Sequence, residues 1–171
     1  MNISVRLSLV TGLLTALLVF AADQWSKWYM INVLDLLNRP PIEITSFFNL
    51  VTVWNHGVSF GMFASYNQPL ILITLASAIT VILLVWLAKN QSRFVAVALG
   101  LVIGGATGNI IDRIKFGKVF DFLDFHLAGL HWPAFNIADC GVVIGVVLLC
   151  IHSMFFEVSK PNKENSNEAS V

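Results

Sequence analysis

The sequence predicts an all-α membrane protein with four transmembrane helices and a small β-containing cap at one membrane face. Three observations carry this expectation. The 171 residues are 57% hydrophobic and only 12% charged, about half the roughly 25% usual in a soluble domain. The mean hydropathy is +0.78, more apolar surface than a soluble domain of this length can bury. Four apolar runs, 7–29, 69–88, 94–111 and 134–156, each approach the ~20 residues that cross a hydrocarbon core. Backbone amides in lipid must be paired within their own segment, so all four read as helices of one membrane-embedded domain spanning 1–171.

The first run follows Arg6 and could be taken for a cleavable signal peptide. Phe20-Ala21-Ala22 is a poor cleavage site, however, and Asp23, Trp25, Lys27, Trp28 and Tyr29 fit the interfacial end of a retained helix. The segment 32–68 is expected to fold as the cap. Within it, Leu50 to Trp54 is β-branched and aromatic and runs into Asn55-His56-Gly57, a strand entering a turn. Pro40-Pro41 marks an extended approach. The link from Lys89 to Arg93 is short enough to make the second and third helices antiparallel neighbours. The link from Asp112 to Pro133 is longer and holds Asp121, Asp124, His126 and His131. The tail 160–171 is polar and expected to be disordered. No internal repeat is visible.

Charge excludes some functions and leaves others open. Ten basic residues balance ten acidic ones, so no basic field for nucleic acid exists. Cys140 and Cys150 lie ten residues apart in one helix, about 15 Å, too far for a disulfide. Basic residues divide evenly between the two membrane faces. Only the acid-free 89–93 turn tips the positive-inside rule toward cytoplasmic termini.

Ionisable groups at membrane depth are costly and therefore candidates for function. Alternating spans bring three sets to one face: Asp23 with Lys27, Asn109 with Asp112 and Arg113, and Asn136 with Asp139. Asp23 and Lys27 are four apart and can pair on one helix face, equally as a structural ion pair or as part of a site. Asn109 is three from Asp112 and four from Arg113. Asp112 and Arg113 read as residues that stitch helices together. With Pro133 as helix starter, Asp139 is expected in the second turn, where the helix dipole favours a negative charge. Asp121, in the stretch 118–124, is expected to re-enter the membrane surface. Two carboxylates facing one another repel, so one holds a proton while the other stays ionised. Such a pair can activate water and protonate a leaving amine. Asp139 is then the expected ionised partner. No serine–histidine or cysteine–histidine pair is as well placed, and no HExxH spacing occurs.

Other residues read as structural. Asp124 is expected to face solvent, and Gly100, Gly104, Gly105 and Gly108 to allow close helix packing. The five tryptophans are expected in the interfacial belt or in packing. His152 is expected to be a satisfied interior or interfacial residue.

Five blocks now resemble a known family, bacterial lipoprotein signal peptidase, or signal peptidase II. They are Asp23-Gln24-Trp25-Ser26-Lys27, Asn55-His56-Gly57-Val58-Ser59-Phe60, Gly108-Asn109-Ile110-Ile111-Asp112-Arg113, Val119-Phe120-Asp121-Phe122 and Phe135-Asn136-Ile137-Ala138-Asp139. The resemblance implies an aspartyl endopeptidase of the bacterial inner membrane. It implies cytoplasmic termini, with the cap and active site at the extracytoplasmic face. The implied substrate is a diacylglyceryl-modified prolipoprotein, cut just before the lipidated cysteine. The implied catalytic pair is Asp121 and Asp139, supported by Asp23, Lys27, Asn55, Gly108, Asn109, Arg113 and Asn136. The resemblance further implies no metal or organic cofactor, membrane lipid as environment, and inhibition by the macrocyclic peptide globomycin. A monomer is expected. Two other classes remain. A proton-coupled carrier would show repeated halves and broken helices. A non-catalytic assembly subunit would tolerate Asp→Asn at both positions.

Overall fold

Long runs of Leu, Val, Ile and Ala without interior proline form helices that satisfy their own backbone and expose apolar side chains to lipid. The computed structural model describes residues 3–57 and 68–156. Val58 to Phe60 of the second sequence block and the polar tail lie outside them. Helix α1 spans Ile3–Asn32, α2 Gln68–Lys89, α3 Arg93–Phe116 and α4 Ile137–Phe156. All four are long and apolar enough to cross a membrane.

The helix limits differ from expectation in ways the caps explain. At 30 residues, α1 is longer than 7–29 at both ends, about 45 Å against a core of ~30 Å. Helix α3 continues past Ile111 to Phe116 and stops at Gly117, whose φ of 71° lets its N–H reach the Arg113 carbonyl. This left-handed cap suits glycine. Asp112 and Arg113 therefore belong to the helix, not to the following link. Helix α4 starts at Ile137 rather than near Pro133, because Asn136 takes the cap. Its Oδ1 accepts from the Asp139 N–H at 3.0 Å, and the Asp139 carboxylate accepts from the Asn136 N–H at 3.2 Å. This reciprocal capping box puts Asp139 in the first turn, not the second.

Helix α3 is the central one, buried along most of its length. Its glycines make that possible. A Cβ on Gly100 or Gly104 would collide with the α1 carbonyls of Gly12 or Ala16, and one on Gly105 with the Ala138 carbonyl of α4. Small residues let these backbones approach, which drives association where lipid removes the hydrophobic force. The order of the contacts makes α1 and α3 parallel and α4 antiparallel to both. Trp25, Trp28, Trp86 and Trp132 stay exposed, while Trp54 packs against Phe116 and Phe120 under the Lys118 ammonium. His152 stacks on Phe94.

The cap is a four-stranded antiparallel sheet, order β1-β2-β3-β4, at one end of the bundle. Strands β1 (Ile42–Thr45) and β2 (Phe48–Asn55) come from the expected segment. Strands β3 (Val119–Leu127) and β4 (Leu130–His131) come from the α3–α4 link. The stretch around Asp121 is thus a central strand rather than a re-entrant loop. Phe120 and Phe122 on one face of β3 pack with Leu36 and Leu50 in a small core. Alternation turns Asp121 to the other face, toward the bundle.

Candidate active site

Asp121 is near the start of β3, held by β2 on one side and by the residue that caps α4 on the other. On β2, Val53 pairs with Asp121 and Asn55 with Val119. Asn55 is therefore the diagonal neighbour, and its Nδ2 donates to Asp121 Oδ2 at 3.0 Å. The Asn55 Oδ1 also accepts from the Gly57 N–H at 2.8 Å, where φ is 99°. From the bundle side, Asn136 Nδ2 donates to Asp121 Oδ1 at 2.7 Å. The carboxylate is 1% exposed. Burial, with the Asp139 charge adding to it, raises its pKa to about 6 against the hydrogen bonds from Asn55 and Asn136.

Asp139 is half-buried at the start of α4. Its Oδ1 accepts from Asn109 Nδ2 of α3 at 2.8 Å. Asn109 Oδ1 in turn accepts from the Asn136 amide that holds Asp121, at 3.2 Å. Two asparagine amides thus bridge the carboxylates. Asp121 lines a cleft of about 390 Å³ with Asn55, His56, Gly57, Pro133 and Ala134. Asp139 lines a second, apolar one of about 330 Å³ with Trp132, Phe135, Cys140 and Val143. The stretch 132–135 belongs to the walls of both. Arg113 completes the group. Its Nη1 donates to the Asn109 carbonyl at 3.4 Å, and its charge acts on Asp139, Asp121 and Asp112. Its Nε is buried without a partner among the described residues.

Asp23 and Lys27 do not touch either carboxylate. They form a separate buried cluster with Asp112. Lys27 Nζ lies 2.9 Å from Asp23 and 2.8 Å from Asp112. Gly108 lets Asp23 in, since a Cβ there would stand 2.5 Å from Asp23 Oδ2. Sequence reasoning left Asp112 and Gln24 out of the candidate site. Gln24 Nε2 bridges the two carboxylates at 3.2 and 3.0 Å. Asp112 does not pair with Arg113, because it faces α1. A third cluster lies outside the bundle, and it overturns the solvent-facing expectation for Asp124. That residue is 6% exposed, bound to His131 Nδ1 at 2.9 Å and to Asn49 Nδ2 at 3.3 Å. Burial opposes its charge, but these hydrogen bonds prevail and hold it below the usual carboxylate range.

The chain resembles known proteins over most of its length. Residues 15–155 match the Signal peptidase (SPase) II family. The lipoprotein signal peptidase of Nitrobacter hamburgensis is 41% identical over 150 residues, covering 84% of this chain and 91% of the relative. That of Methylobacterium sp. (strain 4-46) is 38% identical over 151 residues, covering 87% and 92%. That of Anaplasma marginale is 40% identical, covering 86% and 87%. A bacterial membrane enzyme solved by the in meso method at 2.3 Å superposes with a TM-score of 0.75 at 30% identity, covering 90% of this chain and 93% of that one. The chain is a multi-pass membrane protein of the signal peptidase II family.

Proposed function

We propose that the protein removes the signal peptide from diacylglyceryl-modified prolipoproteins, using Asp121 and Asp139 as an aspartyl dyad. The observation that supports this most is the double amide bridge. Asn136 and Asn109 tie together two carboxylates from a strand and a helix at one end of the bundle. The scissile peptide lies between the two clefts, in reach of both acids, with the acyl chains in lipid. The active site faces the extracytoplasmic side and both termini the cytoplasm.

In this reading Asp139 takes a proton from water as the oxygen attacks the scissile carbonyl carbon. Asp121, protonated, hydrogen-bonds the carbonyl oxygen as charge builds there. Collapse of the tetrahedral adduct breaks the C–N bond, and the proton held by Asp139 passes to the departing amine of the lipidated cysteine. Asp121 then keeps its proton and Asp139 is again a carboxylate. Asn55, Asn109 and Asn136 hold the acids, and the Arg113 charge acts on both of them.

The direct test is incubation of purified protein with a lipidated prolipoprotein in lipid or detergent. Cleavage at the bond before the cysteine is expected, with an unlipidated control left intact. Absence of that product from a folded preparation rejects the assignment.

The pH profile tests the roles. Asp121, with a pKa raised to about 6, holds its proton below that pH and loses it above. If the protonated form is the working one, kcat/KM falls on the alkaline side of about pH 6, roughly tenfold per unit. Substrate excludes water and favours the neutral acid further, so the limb in kcat lies higher than the limb in kcat/KM. A rate that instead rises through pH 6 makes Asp121 the base and exchanges the two roles.

A further inference from the structure

The Asp23–Lys27–Asp112 cluster carries more than a pairing of helices. Asp23 Oδ1 accepts the backbone N–H of Ala138 at 3.0 Å. Asp112 Oδ2 accepts the backbone N–H of Phe120 at 3.2 Å. Ala138 directly precedes Asp139, and Phe120 directly precedes Asp121. The two carboxylates therefore grip the main chain one residue before each member of the dyad. They are joined twice, by the Lys27 ammonium and by the Gln24 amide. Asp23, Asp112, Ala138 and Phe120 are all 1% exposed or less, and Lys27 is 4% exposed.

We infer that Asp112 and Gln24, acting with Asp23 and Lys27, form a clamp that sets the spacing of the two catalytic backbones. The inference rests on the dyad reading. Its members are positioning residues, since none reaches a reacting atom. Three connections follow one line through the molecule: β3 backbone to Asp112, Asp112 through Lys27 and Gln24 to Asp23, and Asp23 to the α4 backbone. The strand and helix that carry the acids have no covalent link shorter than the 122–138 stretch, which bends through a hairpin. Backbone hydrogen bonds between Leu123 and Phe135 already tie that stretch on one side, and the short, charged connection adds a second tie across the bundle. Charge-assisted hydrogen bonds suit the task, being shorter and stronger than neutral ones. A misplacement near 1 Å can cost about 10²-fold in rate.

The test compares four variants of the full chain by kinetics and thermal unfolding: Asp112→Asn, Gln24→Leu, Asp121→Asn and Asp139→Asn. Asn at 112 keeps an oxygen for the Phe120 N–H and Lys27 but removes the charge that Lys27 pairs with and turns its amide nitrogen against Gln24 Nε2. It is expected to lower kcat per folded molecule by about 10- to 100-fold with KM within about twofold. Gln24→Leu removes one bridge and no charge at a half-buried position. A kcat loss of roughly three- to tenfold is expected, the equivalent of one hydrogen bond. If Asp112→Asn does not fold, Gln24→Leu alone decides. Wild-type kcat in folded Gln24→Leu, or losses that track only the folded fraction, overturn the clamp. Should Asp121→Asn or Asp139→Asn keep turnover, the dyad falls instead, so the two failures are distinguishable.

Discussion

Asp121→Asn and Asp139→Asn are each expected to reduce cleavage of a lipidated prolipoprotein by about 10²-fold or more, while the protein stays folded. Proton transfer by a positioned side chain contributes about 10²–10⁴ in rate. In the proposed cycle Asp139 both accepts and returns the transferred proton, while Asp121 hydrogen-bonds the developing oxyanion, a contact worth about 10²–10³ in rate. The amide is nearly the size of the carboxylate, so packing is kept. Hydrogen bonding is not. Both oxygens of Asp121 accept, from Asn55 and from Asn136. An amide nitrogen at 121 would face one donor with another and lose that bond, a cost of about 1–3 kcal/mol. Asp139 accepts from Asn109 and from the Asn136 N–H, with the same consequence. Such losses lower a melting temperature by a few degrees and do not empty the folded state.

Single-turnover cleavage alongside thermal unfolding in the same detergent separates the effects. Either variant turning over within about tenfold of wild type while folded would remove that residue from the chemistry. The experiment bears on the geometry as well. The carboxylates open into adjoining clefts divided by 132–135, so the mechanism requires the bound peptide to bring one water within reach of both. Equal losses in the two variants fit one shared water. Loss in one alone fits a single acid acting with Arg113.

The four spans were legible because lipid imposes a simple code of length and apolarity. The cap was half legible. Its first two strands lie in a stretch with β-branched and aromatic signals. Strand β3 carries two acids in an apolar run, and its partner lies far back in the chain, with Asn55 meeting Asp121 across 66 positions. Nothing local announces such a pairing. The same non-local pairing buries Asp124, which a local pattern assigns to solvent. Asp112 does stitch helices together, but it joins α3 to α1 through Lys27 rather than sharing a partner with Asn109. Three residues on a helix of 3.6 per turn fall short of a full turn by about 60°. Asn109 thus turns toward α4 while Asp112 turns toward α1. The start of α4 was readable after all. An Asn three residues before an Asp is a capping-box pattern, and it outweighed the pull of Pro133 as a starter.

Lys27→Met should be the most destabilising single change at this end of the bundle. Methionine nearly matches the lysine stem in volume, so the loss is electrostatic. Two carboxylates, 0% and 1% exposed, would then face each other without the ammonium that sits 2.9 and 2.8 Å from them. Breaking one partner out of a buried ion pair costs about 3–5 kcal/mol. Buried ion clusters can often be replaced by apolar residues at little cost. This one should not be. In Asp23→Leu/Lys27→Met/Asp112→Leu the charges are gone, but the Ala138 and Phe120 amides lose their acceptors. Each orphaned N–H costs about 1–3 kcal/mol. The triple variant is therefore expected to regain only part of the stability lost in Lys27→Met, and none of the turnover. Thermal unfolding of the wild type, the single and the triple variant in one detergent checks the order. A triple variant as stable as wild type would mean that the cluster is an ordinary ion pair and that its grip on the two backbones contributes nothing.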